Sequence, residues 1–125
     1  MTTCSEAHQQ TGVIRENERN GVYPGSPYTA DWIPTVAHWQ ENLNCGGFGY
    51  SGPADGIWGY NSRKAAQVQA RGFGYQGPLD GVWGVNTWKA IQEMARRYGG
   101  YQGPIDGDPG PNTWYALWNY FRPHL

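Results

Sequence analysis

Three stretches of this chain follow one pattern: GYSGPADGIWGYNSRKAAQ, then GYQGPLDGVWGVNTWKAIQ, then GYQGPIDGDPGPNTWYALW. Tyr50, Tyr75 and Tyr101 align at offsets of 25 and then 26 residues, and the glycines, prolines, aspartates and asparagines behind them keep step. A period of this length marks one small supersecondary unit written several times. Such a unit cannot bury its own apolar face, so neighbouring copies must stack to make a core.

Each unit has two halves. In the first, Gly-Pro-x-Asp-Gly is turn chemistry. Proline presets φ, the aspartate bonds its own downstream backbone, and glycine takes the positive φ that follows. Asp55–Gly56, Asp80–Gly81 and Asp106–Gly107 are therefore read as structural turn residues. Past the next glycine the period becomes helical. Pro111 in the third copy marks the first helical position, which makes Gly59, Gly84 and Gly110 the expected N-caps.

In the second copy Trp88, Ile91 and Ala95 share one helical face; in the third, Trp114, Leu117, Trp118 and Phe121 do. The first copy has Arg63 where the others have tryptophan, so its helix packs closely on small residues such as Ala66 or stays partly exposed. A further helix precedes the repeats, with Ile33, Val36, Trp39 and Leu43 on one face and Gly46–Gly47 as its stop. The expected fold is mainly α, a small bundle of about four short helices joined by Gly-rich Asp-Gly loops. It occupies residues 32–125. Residues 1–31 are polar, rich in turn formers and without sustained periodicity, and read as an extended N-terminal arm.

Composition narrows the function. A formal charge of −1 and a pI near 6.3 give no broad basic field, so neither nucleic acid nor an anionic membrane is an expected partner. No apolar run is long enough to span a bilayer, and the first twenty residues lack the apolar core of a signal peptide. The aromatic share of 15%, with seven Trp and nine Tyr, must go into a core, an interface or a ligand platform. Cys4 and Cys45 permit one bridge, which would pin the arm to the body; free thiols are the expected state.

These residues resemble a known family. VAHWQENLN is similar to the opening helix of peptidoglycan-binding modules, with Val36, Gln40, Leu43 and Asn44 matching and Trp39 in place of leucine. GYQGPLDGVWGVNTWKAIQ resembles the family's Asp-Gly segment, and NTWYAL its closing helix. The likeness runs from residue 33 to about 121. It departs from the usual pattern in carrying three Asp-Gly loops rather than two, and in the third loop's loss of the aromatic supplied by Trp58 and Trp83. It implies a small helical fold that binds bacterial cell wall, usually beside a catalytic domain.

Catalysis is not expected. The three aspartates repeat as turn residues do, Asp106 and Asp108 supply too few oxygens for calcium, and His8, His38 and His124 match no zinc spacing. His38 is expected at the surface or rim of its helix. Cys45 has no evident general base, and no serine sits in a nucleophile elbow. No cofactor or metal is implied.

Binding remains. Sugar rings offer apolar C–H faces and many hydroxyls, which call for aromatic platforms flanked by amides. The loops supply Tyr50, Tyr75, Tyr101, Trp58, Trp83, Gln76 and Gln102 as candidate contacts. The competing role for each aromatic is to pack its loop onto a helix. The helical tryptophans Trp39, Trp88, Trp114 and Trp118 are expected in the core. Two functions fit: a non-catalytic cell-wall-binding module, or a structural decoration of a phage capsid or tail attached through the arm. The corresponding location is extracellular or on a virion surface.

Overall fold

The computed structural model describes residues 1–123; His124, weighed above as a zinc ligand, lies outside them. Five helices make up the described residues: α1 (Cys4–Arg19), α2 (Ile33–Cys45), α3 (Tyr60–Ala70), α4 (Val85–Gly99) and α5 (Pro111–Phe121). A 3-10 turn at Arg71–Phe73 extends α3. The expected four helices of the body are present, and there is no strand among the described residues.

The helix starts follow the repeat. Gly59, Gly84 and Gly110 hold the N-cap positions of α3, α4 and α5 in extended backbone. α4 ends at Gly100, whose φ of 77° closes the helix in the left-handed conformation. Helix α2 is the centre of the molecule, in contact with α1, α3 and α5. Pro34 through Gln40 are all buried, so α2 has no solvent face along those seven residues. The core gathers Trp39, Leu43, Ala65, Ala66, Ala70, Ile91, Met94, Ala95, Trp114 and Leu117. The alanines of α3 let that helix approach closely, as its small residues imply.

Several residues depart from the sequence reading, each for a local reason. His38, expected at a rim, is buried because α2 is covered on that side as well. Its ring lies 5.8 Å from that of Trp118, and its Nδ1 is 3.7 Å from a Glu41 carboxylate oxygen. Ile33, expected on the apolar face, is exposed because it stands at the first position of α2. Its side chain and carbonyl lie against Gly56, where a Cβ would collide. Tyr60 and Val85 begin the next two helices and lie in the same way against Gly81 and Gly107. Glycine at these three loop positions thus meets two demands, a positive φ of 80°, 74° and 75° and a close approach.

The largest departure is the N-terminal segment. Residues 4–19 form a helix, not part of an extended arm. Thr3 and Glu6 close a capping box, Thr3 Oγ1 accepting from Glu6 N and Glu6 Oε1 from Thr3 N, both at 3.1 Å. Ala7, Thr11 and Ile14 are buried, a narrow stripe in a polar helix that sequence periodicity does not register. α1 lies on α2 and is locked there by a Cys4–Cys45 disulfide, so the cysteines are not free thiols. Their pairing follows from α1, which brings Cys4 alongside the last residue of α2.

Further ties reach the first loop. Thr2 N donates to Ser51 O (2.8 Å), Asn44 Nδ2 to Thr2 O (2.7 Å), and Ala54 N to Gln10 Oε1 (2.8 Å). Residues 20–32 then cross to α5, where Tyr28 stacks on Tyr115 at 4.7 Å and Trp32 meets Trp118 edge-on at 5.3 Å.

Candidate functional site

The three loops are built alike, and three buried glutamines explain how. Gln40 on α2 accepts from Gly56 N and donates to Ile57 O and Ser62 Oγ. Gln67 on α3 accepts from Asp80 N and Gly81 N and donates to Val82 O. Gln92 on α4 accepts from Asp106 N and Gly107 N and donates to Asp106 Oδ1 and Asp108 O. Each helix therefore clasps the loop that follows it through one side-chain amide, which offers a donor and an acceptor at once. Within each loop the aspartate Oδ1 accepts from the amide two residues on, Ile57, Val82 or Asp108, at 2.9–3.0 Å. Hydrogen bonds from Asp108 N and Gln92 hold the Asp106 carboxyl below its ordinary pKa.

The candidate contact residues divide into three groups. Tyr50, Tyr75 and Tyr101 are each 7% exposed, and their hydroxyls donate to the carbonyls of Pro53, Pro78 and Pro104 at 2.6–2.8 Å. Each ring also fills the space where Gly52, Gly77 or Gly103 would carry a Cβ. With ring and hydroxyl both engaged, the tyrosines form the inside of the loops and present no face to a sugar.

Trp58 and Trp83 behave differently. Both are half-buried, 5.5 Å apart and edge-to-face, and they open into a cleft of about 290 Å³. The remaining walls are Arg63, Trp88, Pro109 and Trp114, with Ala30 and Asp31 contributed by the N-terminal segment. The repeat register makes sense of this set. Trp58, Trp83 and Pro109 hold one loop position in the three copies, and Arg63, Trp88 and Trp114 hold one helix position. The three copies converge on a single cleft.

Its rings form a chain of contacts: Trp83 to Trp88 at 4.8 Å, Trp88 to Trp114 at 5.4 Å, and Trp39 behind them at 4.7 Å from Trp58. Such close ring packing, edge-to-face from Trp83 to Trp88 and from Trp88 to Trp114, fixes the rings before any ligand arrives. Trp83 Nε1 donates to Arg63 O and Arg63 Nε to Gly81 O, both at 3.0 Å, which ties the second loop to α3. Trp114 Nε1 is buried without an acceptor, unusual for an indole N–H in a cleft wall. Asp31, exposed at the mouth, has a φ of 57°, the only positive φ outside glycine among the described residues. The helical Trp88 was expected in the core and is half-buried in this wall instead. The repeat register, read across columns rather than along each copy, was the signal for this cleft.

Gln76 and Gln102 belong to neither set. They are exposed and line two outward grooves, Gln76 in one of about 730 Å³ and Gln102 in one of about 500 Å³. A third groove of about 290 Å³ has Ser51 at the same register.

The electrostatics outside these surfaces centre on Glu41. Burial pushes its carboxyl up, but the imidazoles of His38 and His8 outweigh that and hold it below the ordinary range. The His8 Nδ1 contact is the hydrogen bond of the two, at 2.6 Å. Among the described residues no helix is long and apolar enough to cross a membrane.

Residues 60–117, from the start of α3 into α5, match a family model described as putative peptidoglycan binding domain. No curated protein and no solved structure matches the chain.

Proposed function

We propose, from the match of residues 60–117 to the family model described as putative peptidoglycan binding domain, that the chain is a non-catalytic module holding wall glycan in the tryptophan cleft. The observation that carries this reading is the convergence of all three repeats on one cleft. Trp58, Trp83 and Trp88 give apolar ring surface for sugar C–H faces, and Asp31 and Arg63 give polar partners at the rim. The rings are already locked against one another, so binding a sugar costs little side-chain order.

A binding role without chemistry is supported by the state of the acids. Asp55, Asp80 and Asp106 each accept from the amide two residues on in their own loop. Asp106, which Gln92 also bonds, is held more firmly ionised, the opposite of a general acid poised to give up a proton. The disulfide supports a location outside the reducing cytoplasm, in keeping with an extracellular or virion-surface protein. The first thirty-one residues offer little to a capsid or tail partner. Helix α1 is bonded to α2, and Tyr28 is stacked on Tyr115 of α5, so we propose the segment as an internal brace.

The test is cosedimentation with insoluble peptidoglycan. Trp58→Ala is expected to weaken the apparent Kd about tenfold, equal to about 1.4 kcal/mol, while Tyr50→Phe, which removes only a hydroxyl inside the loop, leaves it unchanged. Equal binding by Trp58→Ala, with its circular dichroism intact, would remove the cleft from the account.

A further inference from the structure

The loops carry a second row of side chains that the cleft does not use. Trp58 and Trp83 line the cleft, but the residue before each, Ile57 and Val82, is 70% and 71% exposed. The first residues of the helices continue the row. Ile33, Tyr60 and Val85 are exposed as well, and they lie against Gly56, Gly81 and Gly107 of the following loops. The row therefore steps without a break from Ile33 through Ile57, Tyr60 and Val82 to Val85. Single exposed apolar residues are ordinary, whereas five joined in one row on a small domain mark a contact surface.

Carboxylates run beside it. Asp55, Asp80 and Asp106 stand two residues before Ile57, Val82 and Asp108, and all three are exposed. In each, Oδ1 takes the loop's own hydrogen bonds, which leaves the second oxygen without a partner among the described residues. Lys89 is within electrostatic reach of Asp106, but none of the three aspartates forms an ion pair among the described residues. Asp108 adds a fourth carboxylate at the register of Ile57 and Val82. The surface is thus apolar and acidic at once.

That combination selects the occupant. A second copy of this chain would set aspartates against aspartates, and an anionic membrane would be repelled in the same way. A helix with an apolar stripe beside Lys or Arg meets both features. The spacing agrees. Helices α2, α3 and α4 pack in succession, and packed helices lie about 8–10 Å apart. That step is close to two turns of an α-helix, so cations about seven residues apart reach successive loops.

We propose that this row docks an amphipathic basic helix of a partner protein, its apolar stripe on Ile57 and Val82 and its cations on Asp55, Asp80 and Asp106. The assignment stands apart from the wall-binding reading, since none of these residues lines the tryptophan cleft.

The test titrates the full chain into a fluorescein-labelled peptide of three Leu-Ala-Lys-Leu-Ala-Ala-Lys repeats and follows anisotropy. Two variants separate the forces. Asp55→Asn/Asp80→Asn/Asp106→Asn removes the charges but keeps an oxygen for each turn bond, so the loops hold. Ile57→Ser/Val82→Ser removes only exposed apolar surface. Each is expected to weaken peptide binding about tenfold, with circular dichroism and cosedimentation with peptidoglycan unchanged. A peptide that fails to bind the parent, or binds either folded variant as tightly, overturns the assignment whether or not the wall is bound. Sedimentation that shows the parent dimeric and Ile57→Ser/Val82→Ser monomeric would also overturn it, by giving the row to a second copy.

Discussion

The repeat body and the N-terminal segment hold to the same central helix by opposite means. In the body one device recurs three times: a buried glutamine clasps the next loop, an aspartate closes the turn, and a tyrosine fills it. In the N-terminal segment nothing recurs. Its ties are a disulfide, a capping box, single hydrogen bonds to the first loop and two aromatic contacts with α5. The body is stabilised by short-range contacts multiplied, and the segment by long-range contacts each made once. The first kind needs every copy to be right; the second depends on a few residues far apart in sequence.

Breaking a clasp is the sharpest probe of that difference. Gln92→Ala removes the partner of Asp106 N, Gly107 N and Asp108 O together, and is expected to cost about 4 kcal/mol, since each of these part-buried groups left unpaired costs toward the low end of about 1–3. Urea unfolding gives the number. A loss below about 1 kcal/mol would mean that water replaces the clasp and that the loops stand on their turns alone.

Next in size is the disulfide. Cys4→Ser with Cys45→Ser is expected to cost about 3 kcal/mol, because the bridge closes a long loop of the unfolded chain. Amide exchange should then rise across α1 while α4 and α5 keep their protection. Equal acceleration everywhere would erase the distinction and make the two regions one cooperative unit.

Smaller effects refine the picture. Thr3→Ala opens the capping box and is expected to cost about 1 kcal/mol, confined to α1. Glu41 sits at the seam between α1 and α2, and its sign is fixed by its depressed pKa. The carboxylate contributes stability above its ordinary value of about 4.5, and that contribution fades as pH falls through the lower folded value. Glu41→Gln should therefore lower stability near neutrality and flatten the acid side of the profile, its deficit closing as pH falls below about 4.5. An unchanged acid limb would show that the contacts with His8 and His38 do not stabilise the seam.

The contrast also explains what the sequence disclosed. The helices of the body, their glycine caps and the turn function of the aspartates were legible because periodicity and turn chemistry are local and were written three times. Gln40, Gln67 and Gln92 were equally periodic, but a glutamine inside a helix carries no local signature of burial, so the clasps passed unnoticed. The helicity of residues 4–19 was hidden by its polar composition, since only Ala7, Thr11 and Ile14 face inward. The disulfide depended on that helix and was hidden with it.

The site was half legible. Trp58 and Trp83 were named as contacts and share a cleft, whereas Trp88 read as core because helical spacing places it on the apolar face; Trp114, read as core, is core and also reaches the cleft wall. Tyr50, Tyr75 and Tyr101 were named beside them and lie inside their loops. A tyrosine next to a Gly-Pro turn has the same spelling whether it packs inward or outward. The glycine two residues on, which leaves room for the ring, is what the structure adds.

The central claim is that wall glycan meets the rings on which the three repeats converge, and indole N–H resonances report on it directly. Titrating the isotope-labelled protein with a soluble disaccharide-peptide wall fragment should move the indole signals of Trp58, Trp88 and Trp114, whose rings line the cleft. The Trp39 indole, already bonded to Gln69 Oε1 at 2.8 Å, should stay in place. Saturable binding that leaves the Trp58, Trp88 and Trp114 signals unmoved would contradict the account and place the glycan elsewhere on the molecule.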